Sequence, residues 1–213
     1  MIVLAGTIGA GKTSLTQMLA DHLGSKPFFE SVDDNPILPL FYKDPQKYGF
    51  LLQIYFLNRR LDEIKDSFDN DLNVLDQSIF EDALMFKMNA DLGRATHTEA
   101  DIYTSLLGNM MEELPDQAHQ KAPNLLIHIR VSFETMLNRI KQRGRSFEQI
   151  ENDPSLYQYY KTLNQRYQSW YEAYDKSPKM MIDGDQYDFV ADPQAAKVVL
   201  EQIDSKLSAL NLK

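Results

Sequence analysis

The stretch Gly6-Thr7-Ile8-Gly9-Ala10-Gly11-Lys12-Thr13 constrains this chain more than any other, because it meets G-x-x-x-x-G-K-[ST] at every required position. An apolar burst, Met1-Ile2-Val3-Leu4-Ala5, precedes it and reads as a buried strand. After it, apolar residues recur at helical spacing from Ser14 to Leu23, and Gly24 is a natural C-terminal stop. Strand, glycine loop and helix together are the context in which this motif, the P-loop, binds polyphosphate. Glycines let successive backbone N-H groups and the helix N-terminus face the phosphates, Lys12 reaches the β and γ oxygens, and the Thr13 hydroxyl is placed to ligate Mg²⁺. Gly6, Thr7, Ile8, Gly9, Ala10, Gly11, Lys12, Thr13 and Ser14 are therefore the candidate ATP-binding set. A plain glycine turn would account for neither Lys12 nor Thr13.

With 213 residues, 43% hydrophobic and 25% charged, the chain fits one compact domain, 1–213, with a sizeable core. No stretch approaches a membrane span, and no basic leader precedes the first strand, so a cytoplasmic protein without a membrane partner is expected. There is no cysteine, and His22, His97, His119 and His128 show no ligand-like spacing, which argues against zinc. A net charge of -9 argues against a nucleic-acid polymer as substrate and favours a small-molecule acceptor.

Further along, Lys26-Pro27-Phe28-Phe29-Glu30 reads as a short second strand closing on an acid. Apolar residues at helical spacing from Phe50 to Phe68 define a long helix, and Leu72 to Asp76 form a third strand, again ending in a carboxylate. A helix is expected over 79–91 and another over 98–120, the latter with a capping-box-like start at Thr98 and Asp101. Residues 124–130 are a fourth strand, Ser132 caps the next helix, a tyrosine-rich helix covers 155–175, and 179–182 are a fifth strand. Asp192-Pro193 opens the last helix. Strands alternating with helices mean an α/β fold: a five-stranded parallel sheet with helices on both faces.

Phosphoryl transfer to a hydroxyl needs a metal, a base for the acceptor proton, and cations for the charge on the transferring oxygens. Asp76, at the end of an apolar strand, is the better metal-side carboxylate, or else an acid capping the next helix. Glu30 is left as the base, or else as a solvent-facing strand end. Arg139, Lys141, Arg143 and Arg145 crowd around Gly144, either as cations at a helix C-terminus or as a phosphate-facing lid over about 139–153.

Taken with the P-loop, the ordered set Phe29-Glu30-Ser31-Val32, Asn35-Pro36, Phe41-Tyr42-Lys43-Asp44-Pro45, Gln53 with Arg60, Asp76-Gln77-Ser78-Ile79-Phe80-Glu81-Asp82, and Arg139 to Arg145 with Glu148 resembles the deoxyribonucleoside kinases, in particular their bacterial deoxyadenosine/deoxyguanosine kinase branch. The resemblance implies that Glu30 accepts the 5'-hydroxyl proton and that Gln53 makes paired hydrogen bonds to the base. It implies that Arg60 and Asp82 form a charged pair bordering the base pocket, and that Tyr42 and Glu148 hold the 3'-hydroxyl. Arg139, Arg143 and Arg145 would cover the ATP phosphates, while Phe80 and Phe86 line the base cleft or, equally, a helical core. ATP and Mg²⁺ are the implied cofactors. A purine deoxynucleoside, with deoxycytidine second, is the implied acceptor, and a homodimer, or a heterodimer with a paralogue, the implied assembly.

The family pattern is acid-Arg-Ser, and Gln77 stands here in place of the arginine. A neutral amide cannot supply the charge that the arginine brings near the phosphates. Gln77 favours one alternative to a salvage enzyme, a weakly active regulatory subunit of a heteromeric kinase; a separate and lesser one is a nucleoside monophosphate kinase, which would need arginines for its acceptor's phosphate.

Overall fold

The computed structural model describes residues 1–29, 35–113 and 122–213. These form two compact units. The first contains 1–29, 67–77 and 122–213, and the second the described residues of 35–66 and 78–113.

The first unit is built on a five-stranded sheet of β1 (Ile2–Ala5), β2 (Pro27–Phe28), β3 (Val74–Leu75), β4 (Leu125–Arg130) and β5 (Lys179–Asp183). Every pairing is parallel, as the alternation of elements led us to expect, and the order is β2-β3-β1-β4-β5. All of β1 and all of β4 before Arg130 are buried, so both faces of the central strands are covered. Strand order reverses at β1, with β3 on one side and β4 on the other, and in open parallel sheets ligands gather beyond the carboxyl ends at such a point. The P-loop leaves the sheet there.

Helix α1 (Lys12–Leu23) runs from the loop to Gly24, whose left-handed φ of 63° closes it. Three more helices belong to this unit and are labelled below in chain order: α6 (Phe133–Arg143), α7 (Ser155–Ala173) and α8 (Pro193–Ala209). The Ser132 side chain accepts from Thr135 N at the start of α6, and Asp192 accepts from Gln194 N at the start of α8.

The second unit is helical: α2 (Leu38–Lys43), α3 (Pro45–Asp66), α4 (Ile79–Asp91) and α5 (His97–Glu113). A capping box holds the start of α4, with Ser78 N donating to Glu81 and the Ser78 hydroxyl accepting from Phe80 N. Helix α5 begins one residue earlier than expected. Its reciprocal pair is Thr96 with Glu99, Thr96 N donating to the carboxylate at 2.7 Å and Glu99 N to the Thr96 hydroxyl at 3.1 Å, so Thr98 and Asp101 are not its cap. Helix α3 starts at Pro45 rather than Phe50, because proline fits a helix's first turn without losing an internal hydrogen bond. The short helix α2 was not anticipated, and it carries Pro39 in its first turn.

Candidate active site

In the first unit the loop from Gly6 to Gly11 owes its path to its glycines. Gly6, Gly9 and Gly11 have φ of 152°, 78° and 99°, and a Cβ on Gly6 would sit 2.8 Å from the Ile129 carbonyl oxygen. Gly6→Ala should therefore lower stability by about 1–3 kcal/mol, the scale of an overpacked site, and weaken nucleotide binding, both readable by thermal denaturation with and without ATP. An unchanged melting curve would mean that β4 yields easily at Ile129.

Gly11 supplies the N-cap of α1, so the helix's first N-H groups point into the loop. The Lys12 ammonium donates to the Gly6 carbonyl at 2.6 Å and to that of Thr7 at 3.4 Å, which holds a positive charge against the loop. Ser14 follows it in the first turn of α1. Thr13 Oγ1 donates to Asp76 Oδ2 at 2.6 Å, joining the exposed start of α1 to the buried residue just past β3. The two side chains expected to ligate metal are thus brought together. Among the described residues no cluster of three His, Asp or Glu side chains could hold a metal by itself. A hydroxyl and a carboxylate fit Mg²⁺, which commonly completes its shell with waters and substrate phosphates.

In and just after the last turns of α6 the arginines do different things. Arg139 donates to the Ala10 carbonyl at 3.1 Å and to the Gly184 carbonyl at 2.9 Å, tying α6 to the P-loop and to the turn after β5. Arg143 grips Glu148 through Nε and Nη2 at 3.1 and 2.6 Å, and Arg145 Nη1 lies 3.5 Å from the other carboxylate oxygen. Glu148 is buried in a single 3₁₀ turn, Ser146–Glu148, where its carbonyl accepts from Tyr160 at 3.0 Å. The charge of the two arginines is drawn inward onto one acid.

Tyr42, Gln53, Arg60, Phe80, Asp82 and Phe86 belong to the second unit. Arg60 and Asp82 are both buried, with Arg60 Nε 3.6 Å from Asp82 Oδ2, as the resemblance implied. A third member was missed: Glu63, one turn along α3, accepts from Arg60 Nη1 at 2.8 Å. Two carboxylates beside one guanidinium form a cluster whose burial is tolerable only because the charges are paired. Tyr103 is also buried beside it, and burial first, then Asp82, raises its phenol pKa. It stays protonated at any physiological pH. Phe86 is 1% exposed, its ring 6.1 Å from that of Phe50 and 5.2 Å from that of Tyr103, so in this unit it packs as helical core. Phe80 and Gln53 are half-buried. Tyr42 lies in α2. Glu30 lies outside the described residues.

A P-loop, a Thr13 hydroxyl paired with Asp76, and arginines after the fourth strand fit a phosphotransferase, and comparison with known proteins names the class. The model of the deoxynucleoside kinase family matches residues 2–208. The chain belongs to the deoxynucleoside kinase family. It is 59% identical over 207 residues to a deoxyguanosine kinase of Lactobacillus acidophilus, covering 97% of this chain and 90% of the relative. A deoxyadenosine kinase of the same organism is 56% identical over 207 residues, covering 97% and 96%. Among solved structures, deoxyadenosine kinase from M. mycoides with bound dCTP superposes with a TM-score of 0.78 at 29% identity, over 96% of this chain and 100% of that one. The chain is therefore a kinase of nucleosides on a P-loop fold, and relatives named as kinases do not favour a regulatory subunit or a nucleoside monophosphate kinase.

Proposed function

We propose that this protein transfers the γ-phosphoryl of ATP to the 5'-hydroxyl of purine deoxyribonucleosides, deoxyadenosine or deoxyguanosine, with deoxycytidine second, in cytoplasmic nucleotide salvage. The observation that carries the purine assignment is the pair of relatives above half identity, one named for each purine deoxynucleoside. The buried pair Arg60 and Asp82, with half-buried Glu63 beside it, supports it, since a fixed arrangement of charge suits recognition of a polar base edge.

In this reading 1–213 is one kinase domain. Lys12 and the loop amides hold the donor phosphates, and Thr13 and Asp76 hold Mg²⁺, which would neutralise phosphate charge. Glu30 takes the proton from the 5'-hydroxyl, Gln53 reads the base beside Arg60 and Asp82, Phe86 backs that pocket, and Tyr42 and Glu148 take the 3'-hydroxyl. Arg143 and Arg145 form the lid over 139–153. Their grip on Glu148 couples the strap over the donor to the group that holds the acceptor sugar. Arg139 contributes by fixing the loop through Ala10, besides any contact with ATP.

A dimer suits the helices of the second unit. Leu51 on α3 and Ile102 and Leu106 on α5 are exposed apolar residues, and covering them with a second copy or a paralogue removes apolar surface from water. The reaction is tested by incubating the protein with γ-labelled ATP, Mg²⁺ and deoxyguanosine or deoxyadenosine. Labelled 5'-monophosphate is the expected product, and label appearing only with a monophosphate acceptor would contradict the proposal.

Gln77 is buried immediately after Asp76. If the missing arginine's charge acts on the transferring phosphoryl, Gln77→Arg should raise kcat by about 10- to 1,000-fold with KM for both substrates nearly unchanged. A flat or lowered kcat would mean that the surroundings have been rebuilt around the amide.

A further inference from the structure

Asn35 stands just before α2, the six-residue helix that carries Tyr42, and both lie in the second unit. A helix of that length does not persist in water on its own hydrogen bonds, so its surroundings must hold it in place. Burial contributes little. Among the described residues of α2 none has a buried side chain, and Leu40 is 39% exposed. The position of this helix therefore depends on what grips its two ends.

The C-terminal end is tied to α3. Asp44 N donates to the Leu40 carbonyl at 3.0 Å, and Asp44 Oδ1 accepts from Lys47 N at 3.1 Å, in the first turn of α3. Phe41 adds a contact beside Gly49, where a Cβ would come 3.9 Å from its ring.

At the N-terminal end a single side chain does the work. Asn35 Oδ1 accepts from Ile37 N at 2.9 Å and from Leu38 N at 3.1 Å. Pro39 has no N-H to satisfy, so one oxygen meets two of the donors that the start of this helix leaves open. Asn35 is 4% exposed, which keeps water from competing for these bonds. Pro36, between anchor and helix, has its φ fixed by its ring and so restricts the turn further.

We infer that Asn35 is a positioning residue for the acceptor sugar: by holding the start of α2 it sets the place of Tyr42, one turn along that helix. Without the anchor α2 would stay attached at Asp44 and fray from Leu38 onward, and a binding constellation tolerates only about 0.5 Å of displacement. The inference rests on the proposed role of Tyr42 at the 3'-hydroxyl.

The readout is the ratio of kcat/KM for a purine deoxynucleoside to that for its 2',3'-dideoxy analogue, which lacks the 3'-hydroxyl, at saturating ATP. Loss of folded protein lowers both values alike and leaves the ratio unchanged, whereas loss of a contact with that hydroxyl lowers the ratio. Asn35→Ala should lower it about 3- to 10-fold, the worth of one hydrogen bond, with KM for ATP nearly unchanged. Tyr42→Phe should lower it by a similar factor, and the two substitutions combined should lower it no further than Tyr42→Phe alone. Asn35→Asp keeps an acceptor at the start of the helix and should restore the wild-type ratio. If Asn35→Ala fails to fold, Asn35→Gly, which removes the side chain at a smaller cost to a helix start, replaces it in the comparison. An unchanged ratio in Tyr42→Phe would refute the place of Tyr42 at the sugar and overturn the inference with it. A ratio lowered in Tyr42→Phe but unchanged in Asn35→Ala, or as low in Asn35→Asp as in Asn35→Ala, would overturn the inference alone.

Discussion

Lys12→Ala should reduce phosphoryl transfer by ~10³-fold while the protein stays folded, because it removes the cation nearest the loop where charge develops on the β and γ oxygens. Among the described residues the Lys12 ammonium bonds to the carbonyls of Gly6 and Thr7, within the loop itself. The loop's path is set instead by positive φ at its glycines and by Arg139, which holds the Ala10 carbonyl from α6. Steady-state kinetics together with a melting curve separate the two effects. A lost melting transition would show Lys12 to be a structural tether, and retained turnover would refute its place at the phosphates.

Glu30→Gln should lower kcat by about 10²-fold or more with deoxynucleoside KM nearly constant. Glutamine keeps the shape and the capacity to accept a hydrogen bond but cannot take the proton released by the 5'-hydroxyl. Asp76 does not offer itself as a substitute, since it is buried and accepts the Thr13 hydroxyl at 2.6 Å, which suits it to metal rather than to proton transfer. A rise in KM at constant kcat would make Glu30 a binding group and require another base. The effect should appear at every pH at which the carboxylate of the parent enzyme is ionised.

How much could be read beforehand depended on whether the signal was local. The P-loop is contiguous, so the positions of its positive-φ glycines and of Lys12 and Thr13 could be read from it. Asp76 stood out because it follows the apolar strand β3, and it meets Thr13 there. The pairing of Arg60 with Asp82 spans two helices, and only the family resemblance suggested it. Glu63 was missed although it lies one turn from Arg60 on the same face of α3, where a local search for opposite charges would have found it. Tyr103 was missed because no sequence pattern marks a phenol that becomes buried beside distant charges. The Thr96 and Glu99 cap was present as a T-x-x-E signature and was passed over for the next threonine. Arg139 shows the converse. Its spacing put it with the lid arginines, whereas its hydrogen bonds run to backbone carbonyls of the P-loop and of the β5 turn, contacts that depend on tertiary packing.

The central claim is the purine deoxynucleoside acceptor, and the most direct measurement is kcat/KM for deoxyadenosine, deoxyguanosine, deoxycytidine and thymidine under one set of conditions with ATP and Mg²⁺. A pocket whose buried polar groups are left unpaired by the wrong base discriminates strongly. One of the two purines should therefore exceed thymidine by ~10²-fold or more, with deoxycytidine between them. Thymidine as the best acceptor would contradict the account.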